Sequence, residues 1–129
     1  MALAALLPDE RVPPAESVMD RLRTDGAFVP ALWPAEIGNG LLVAHRRGRI
    51  SDDFVNQTLK DIAELPISVH KEDAFGHLND ILRLAREYDL TFYDATYLEL
   101  AGRLHVPLAS LDKRLIAAAV QSGVAAVGT

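Results

Sequence analysis

The sequence predicts an α/β domain in which a parallel sheet is flanked by helices on both faces. Short apolar and β-branched runs between turn residues are typical of buried strands. Longer stretches with helical spacing separate these runs, and this alternation favours a parallel sheet. The chain has 129 residues, half of them apolar, which is enough for one packed core. We therefore predict a single domain over residues 1–129.

Four segments have the strand pattern, and six segments between them have helical spacing bounded by capping residues, prolines or glycines. The predicted strands are 27–29, 67–70, 108–110 and 124–127. The predicted helices run approximately over 13–26, 34–48, 51–65, 72–88, 91–102 and 112–122. The fourth helix has an apolar face formed by Phe75, Leu78, Leu82 and Ala85.

Composition limits the kinds of function that this chain can have. The absence of cysteine excludes disulfides and thiolate-ligated metals. No apolar run approaches the roughly 20 residues that span a bilayer, so we expect a cytoplasmic protein without a membrane partner. The net charge of −5 argues against a nonspecific nucleic-acid coat protein. A nucleic-acid role would need a local basic patch, or metal ions that offset the acidic groups.

Three carboxylates lie at predicted helix starts, and two of them come right after strands on the same edge of the predicted sheet. Glu36 is in the first turn after one strand, Asp112 follows another, and Asp94 begins the helix that leads into that second strand. Taken singly, each is better explained by helix capping or by the helix dipole. Capping does not explain why the three should converge on one edge. If they converge, clustered carboxylates without His or Cys suit Mg²⁺ or Mn²⁺, which can present hydroxide to a phosphodiester.

The segments around these carboxylates resemble the conserved blocks of VapC-type PIN-domain toxins. The blocks are Pro-Ala-Glu-Ile-Gly-Asn at 34–39, Tyr-Asp-Ala-Thr-Tyr-Leu-Glu-Leu-Ala at 93–101 and Leu-Ala-Ser-Leu-Asp-Lys-Arg-Leu at 108–115. The similarity covers essentially the whole chain, including residues 3–10, which resemble the family's first helix and the Pro-Asp-Glu turn that follows it. It implies a PIN-like three-layer sandwich and a Mg²⁺-dependent endoribonuclease toxin of a type II toxin–antitoxin pair. The implied partners are an RNA substrate, a cognate antitoxin and a second copy in a homodimer.

The resemblance also assigns roles to individual residues. Glu36, Asp94 and Asp112 match the family's second, third and fourth acidic positions, so they are the expected catalytic and metal-binding residues. Ser110 matches a small hydroxyl position two residues before the last acid. Asn39 matches an auxiliary polar position.

The start of the sequence departs from the family pattern. The family begins with a central apolar strand that ends in Asp-x-Ser or Asp-x-Thr, whereas the resemblance places Met1 to Ala4 inside the helix that follows. We therefore expect the central strand and the first acidic residue to be missing. Asp9 and Glu10 cannot replace that acid, because they match the far end of the helix. We hypothesise that the domain is shortened at its N-terminus and that the upstream DNA encodes the strand.

Basic residues near the predicted site are candidates for RNA contact. The densest cluster, at the end of the Glu36 helix, contains Arg46, Arg47 and Arg49. Favourable placement of cations at a helix C-terminus explains this cluster equally well. Lys113 and Arg114 follow Asp112 and could touch a phosphate, with solvated surface as an equal alternative.

The remaining aromatic residues and histidines give weaker expectations. Trp33 is predicted to be a packing or rim residue. Phe92, Tyr93 and Tyr97 are predicted mainly as core around the Asp94 helix, with dimer contact as the alternative. His70, His77 and His105 lack a spacing that suggests a shared metal, and they receive no role.

Two other functions remain open at this point. The first is a catalytically impaired PIN-like module that binds an antitoxin or RNA without cleavage, which the missing first acid favours. The second is a housekeeping PIN nuclease that acts in RNA maturation.

Overall fold

The computed structural model describes residues 2–3, 16–71 and 75–127, which form a parallel sheet surrounded by helices. The strands are β1 (Ala2–Leu3), β2 (Ala27–Pro30), β3 (Ile67–His70), β4 (Leu108–Ala109) and β5 (Ala126–Val127). The helices are α1 (Glu16–Asp25), α2 (Trp33–Arg46), α3 (Asp52–Glu64), α4 (Leu78–Tyr88), α5 (Phe92–Leu104) and α6 (Lys113–Gln121). The predicted α/β class is therefore confirmed.

The strand β1 corrects the expectation that the central strand is missing. Ala2 lies opposite Phe28 of β2 on one side and opposite Leu108 of β4 on the other. The sheet order is therefore β3-β2-β1-β4-β5, with all neighbours parallel. Leu3 lies in this strand, so its placement in a first helix was wrong. The rest of that predicted helix, residues 4–10, lies outside the described residues.

The strand order fixes where a ligand site can form. From β1 the chain moves outward through β2 to β3, and then returns to place β4 on the other side of β1. Because crossovers between parallel strands are right-handed, α1–α3 cover one face and α4–α6 the other. Ligands in such sheets bind at the carboxyl ends of the strands, at the topological switch point where the strand order reverses. Here that point lies between β1 and β4.

Local chemistry explains several helix bounds that the sequence predicted. Ser51 and Thr91 are N-caps, and each side-chain oxygen accepts a hydrogen bond of 3.1 Å from the amide three residues later. Gly26 ends α1 with a φ of +74°, a conformation that side chains with a Cβ disfavour. A Cβ at this position would also lie 2.8 Å from the carbonyl oxygen of Pro66. The turn from α1 into β2 therefore requires glycine.

The core lies between the sheet and the helices, with α5 across its centre. Helix α5 contacts β1, β2 and β4, and it also packs against α4 and α6. The largest fully buried side chains are Leu22, Val29, Leu98, Leu100, Leu108 and Leu115. Trp33 is also buried, which confirms its prediction as a packing residue. Among the described helices, none is both long enough and apolar enough to cross a membrane.

Helix α4 differs from its prediction in its start and in its buried face. It begins at Leu78, after a turn over residues 75–77, and residues 72–74 lie outside the described part of the chain. Its buried residue is Ile81, at 6% exposure, whereas Phe75 and Leu82 are 83% and 42% exposed. The sequence contains two overlapping stripes with helical spacing, and both include Leu78 and Ala85. Packing against α5 selects the stripe that contains Ile81.

The burial of Ile81 gives a stability prediction. Ile81→Ala should lower the free energy of unfolding by about 2–5 kcal/mol, because it removes buried apolar atoms and leaves a cavity. Leu82→Ala, one position along the same helix, should cost about 1 kcal/mol or less because the side chain is half-exposed. Urea denaturation measures both values. Equal losses in the two variants would contradict the orientation of α4.

Candidate active site

Two of the three predicted acids approach each other at the carboxyl edge of the sheet. Asp94 lies in the first turn of α5, and Asp112 is the N-cap of α6 directly after β4. Burial raises the pKa of Asp94, and the negative charge of Asp112 raises it further. A hydrogen bond from Thr91 and the charge of Arg114 act in the opposite direction. Like charges shift a pKa in this way only over short distances, so the charge of Asp112 acts on Asp94 at this edge of the sheet.

Asp112 caps a helix and still has a carboxylate oxygen that capping does not use. Its Oδ1 accepts hydrogen bonds from the amides of Arg114 at 2.8 Å and Leu115 at 3.2 Å. The buried Ser110 accepts a hydrogen bond of 3.0 Å from the amide of Asp112 through its Oγ. The cap and Ser110 together fix the direction of the carboxylate. Capping and a role in the site are therefore compatible for this residue.

Tyr97 connects the third acid, Glu36, to the other two. Its hydroxyl donates a hydrogen bond to Oε1 of Glu36, and its ring is 3% exposed. Burial raises the pKa of Tyr97, as do the hydrogen bond with Glu36 and the charges of Glu36 and Asp94. The hydroxyl therefore stays protonated and remains a donor. Tyr97 lies one turn after Asp94 on α5, so this hydrogen bond connects α5 with Glu36 of α2 near the carboxyl edge of the sheet.

Tyr97 was predicted mainly as a core residue, with dimer contact as the alternative, and its bond with Glu36 was not foreseen. Its burial confirms the core prediction for Tyr97, while the same prediction was wrong for Tyr93, which is 61% exposed. The signal available in the sequence was the spacing between Asp94 and Tyr97. A tyrosine three residues after a candidate acid lies on the same helix face.

The donor atoms of this site fit a hard divalent cation, although the side chains do not form a ready-made cage. Within the described ranges, no group of three Asp, Glu, His or Cys side chains is arranged to hold a metal ion. The charge of Asp112 acts on Asp94, while Glu36 is hydrogen-bonded to Tyr97. Carboxylate oxygens are the ligands that Mg²⁺ prefers, and a cation would offset the repulsion between the two aspartates. The two residues of β1 contribute no carboxylate.

Among the predicted basic residues, Arg114 is one whose charge acts on the acidic site. Its charge lowers the pKa of Asp94. One of its Nη atoms donates to the backbone oxygen of Asp89 at 3.0 Å and to the side-chain Oδ2 of Asp89 at 2.9 Å. Asp89 ends α4 in a left-handed conformation, with a φ of 53°. The end of α4 therefore holds one cation at the edge of the acidic site.

The other predicted polar and basic residues lie on exposed surface at varying distances from the acids. Lys113 is the exposed first residue of α6, and Asn39 is exposed one turn after Glu36 on α2. Arg46 and Arg47 lie at the far end of α2. At a rise of 1.5 Å per residue, Arg46 is about 15 Å along the helix from Glu36. The cluster of Arg46, Arg47 and Arg49 is therefore not part of the acidic site itself.

The sheet order, the covering helices and the acids at the carboxyl edge define a PIN-like nuclease domain. No protein-family model matches the sequence. Ribonuclease VapC3 of Pyrobaculum aerophilum is 30% identical over 115 residues, which cover 88% of this chain and 86% of that protein. Ribonuclease VapC1 of Mycobacterium tuberculosis is 31% identical over 127 residues, which cover 85% of this chain and 91% of that protein.

A solved structure agrees with these sequence relatives. The crystal structure of PAE2754 from Pyrobaculum aerophilum matches with a TM-score of 0.66 and 26% identity, covering 86% of this chain and 79% of that one. This chain belongs to the VapC family of PIN-domain ribonucleases. By family it is therefore a hydrolase that cleaves RNA.

The proximity of Asp94 and Asp112 predicts a linked pKa and stability change. Because the folded state raises the pKa of Asp94, ionising this group costs stability as the pH rises through the raised value. Asp112→Asn removes the repelling charge but keeps a good N-cap residue. We expect the pKa of Asp94 to fall and stability at neutral pH to be maintained or increased. A pH titration of the ¹³C carboxyl resonances, together with urea denaturation, measures both in metal-free protein.

The outcome of that titration separates proximity from simple burial. Burial alone would leave the pKa of Asp94 the same in the Asp112→Asn protein. Such a result would show that the two carboxylates do not share a site.

The contact between Tyr97 and Glu36 predicts a modest stability loss. Tyr97→Phe removes one hydrogen bond to a charged group and should lower the free energy of unfolding by about 0.5–3 kcal/mol. Tyr93→Phe is the matched control, since this exposed neighbour on α5 should tolerate the loss of its hydroxyl. Urea denaturation provides the comparison. If the two variants have the same urea midpoint, the contact does not contribute to stability.

Proposed function

We propose that this chain is a metal-dependent endoribonuclease toxin of a type II toxin–antitoxin pair. Family membership supplies the ribonuclease activity. The observation that supports metal dependence is the approach of Asp94 to Asp112 at the carboxyl edge, where ionising both costs energy without a cation. We assign Glu36, Asp94 and Asp112 as the residues that hold Mg²⁺ or Mn²⁺ and serve catalysis.

Each of these residues has a distinct task in the proposed reaction. Asp112 is held by its own helix cap and offers the oxygen that the cap leaves unused. Asp94 lies half-buried beside it, and Tyr97 orients Glu36 through one carboxylate oxygen. A bound divalent cation would neutralise these charges, contact the phosphate and supply hydroxide at neutral pH. The protein's part is therefore to fix three carboxylates where the scissile phosphate arrives.

Basic side chains compensate for the acidic character of the chain. Arg114, held by Asp89, is the cation that we assign to the phosphate nearest the acids. Lys113 lies beside it on the exposed start of α6. Arg46 and Arg47 lie too far from Glu36 along α2 to contact the cleaved bond. We therefore assign them to contacts with the flanking RNA backbone. The same assignment extends to Arg49, and Ser110 acts by fixing Asp112.

The proposed partners follow from the family. The relatives are named VapC ribonucleases, and we infer an RNA substrate and a cognate antitoxin for this chain. We also propose a homodimer that acts in the cytoplasm. Asn39, exposed one turn from Glu36, is a candidate for contact with either RNA or the antitoxin.

Substitution of the two aspartates tests the proposed site. Asp94→Asn and Asp112→Asn should each reduce Mg²⁺-dependent RNA cleavage at least about 100-fold. Mutation of residues that only hydrogen-bond to metal ligands already lowers metal affinity or activity by about 10–100-fold. Asp53→Asn, in the exposed first turn of α3, is the matched control and should retain activity. Gel analysis of labelled RNA in Mg²⁺ and in EDTA gives the rates. Circular dichroism confirms that each variant is folded.

Retention of full activity in either variant would remove that aspartate from the site. Cleavage that continues in EDTA would instead contradict the metal dependence.

A second function is favoured by one specific observation. The described residues hold no ready group of three metal ligands, as expected for an impaired module that binds an antitoxin or RNA without cutting it. Titration with Mn²⁺ by calorimetry distinguishes the two. Absence of Mn²⁺ binding, together with intact RNA after incubation, would support the binding module over the nuclease.

A further inference from the structure

The contact between Asp89 and Arg114 ties the end of α4 to the start of α6. One nitrogen of the guanidinium, Nη2, donates to the backbone oxygen of Asp89 at 3.0 Å and to its Oδ2 at 2.9 Å. The two residues are 25 positions apart in the sequence. The contact is therefore made by the fold and not by neighbours on one helix.

The backbone conformation of Asp89 allows this double contact. The residue ends α4 with a φ of 53° and a ψ of 49°, and its amide donates to the carbonyl oxygen of Ala85. Aspartate is one of the few residues with a side chain that adopt this left-handed conformation readily. The backbone oxygen and the carboxylate of one residue here accept hydrogen bonds from the same nitrogen. The end of α4 therefore holds two acceptors in a fixed relation to each other.

Arg114 is held at both of its ends. Its backbone amide donates to Oδ1 of Asp112 at 2.8 Å, and its guanidinium is bound by Asp89. A long side chain samples many rotamers unless a partner holds its charged end. The charge of Arg114 lowers the pKa of Asp94, so the site carboxylates attract the guanidinium as well. The bonds with Asp89 keep it at the edge of the site instead of against those carboxylates.

The guanidinium remains able to bind a phosphate while Asp89 holds it. The side chain of Arg114 is 71% exposed. Every nitrogen of a guanidinium carries N–H donors, and the bonds with Asp89 come from one of these nitrogens. The other nitrogens keep donors that suit the oxygens of a phosphate.

We propose that Asp89 is a positioning residue that directs Arg114 toward a phosphate of the RNA substrate. Asp89 acts through the arginine and does not contact the RNA. This inference rests on the proposed function, which places an RNA phosphate beside the site carboxylates. It predicts an effect opposite to that of charge alone. Removal of a negative charge from an RNA-binding surface by itself strengthens binding, whereas removal of Asp89 should weaken it.

Asp89→Gly tests this direction, because glycine adopts the left-handed conformation readily and preserves the end of α4. Fluorescence anisotropy of labelled RNA in Ca²⁺ measures binding, with gels to check that the RNA stays intact. We expect Asp89→Gly to bind about three-fold more weakly than the unmodified protein, the modest size of an exposed ion pair. Asp89→Asn keeps an acceptor oxygen and should recover most of the loss. Asp53→Asn, which removes an exposed acid from α3, should bind RNA at least as well as the unmodified protein.

A double-mutant cycle shows whether Asp89 acts through Arg114. Arg114→Ala should weaken RNA binding about ten-fold, because it removes charged hydrogen bonds to the phosphate. In the Arg114→Ala protein, Asp89→Gly should cause no further loss, since the residue that it positions is absent. Urea denaturation confirms that each variant is folded.

The possible results distinguish this inference from the proposed function. Equal or tighter RNA binding by Asp89→Gly overturns the positioning role, and so does an equal loss with and without Arg114. Full RNA binding by Arg114→Ala overturns it as well. In each of these cases, Mg²⁺-dependent cleavage by the unmodified protein leaves the proposed function standing. If the cycle shows the expected coupling but the protein never cleaves RNA, the positioning role stands and the nuclease function fails. A protein that neither binds nor cleaves RNA overturns both.

Discussion

The pairing of β1 with both of its neighbours holds the two halves of the molecule together. Ala2 and Leu3 lie between β2 and β4, so this two-residue strand joins the β3-β2 pair to the β4-β5 pair. Glu36 follows β2 and Asp112 follows β4, on opposite sides of β1. The distance between these acids therefore depends on a short ladder of backbone hydrogen bonds. Helix α5 reinforces the ladder, because it contacts β1, β2 and β4 together.

Helix α5 also carries residues of two separate surfaces. Asp94 and Tyr97, one turn apart, take part in the acidic site, whereas Phe92, Thr96 and Glu99 line a cavity on the face of α5 opposite to Asp94. A helix with contacts on several sides has little freedom to rotate or slide. The relation between the carboxylates and the cavity is therefore set by the packing of one helix.

Most of the fold was predictable because its signals are local. Ser51 and Thr91 mark helix starts, and Gly26 marks a turn that a residue with a Cβ could not adopt easily. The strand β1 was missed because two residues are too few to show a strand pattern. The face of α4 was misassigned because two stripes with equal periodicity overlap in its sequence, and only contact with α5 distinguishes them.

The site was predictable to a smaller extent, since its acids were recognisable at helix starts but their mutual contacts were not. The bond between Tyr97 and Glu36 joins residues far apart in sequence, so helix spacing alone could not reveal it. The position of Arg114 likewise depends on Asp89, at the end of a different helix. The basic cluster at Arg46 was predicted near the acids because it shares a helix with Glu36. The length of α2 separates the two.

The central position of β1 has a consequence for the order of assembly. Its second neighbour, β4, begins at Leu108, more than one hundred residues after Ala2. Contacts between residues so distant in sequence form late and slow the folding of small domains. On the ribosome, β1 would have only one neighbour until nearly the whole chain has emerged, since domains are synthesised from the N-terminus. The acids on the two halves of the sheet would then meet only near the end of synthesis, so an unfinished chain would not have an assembled site.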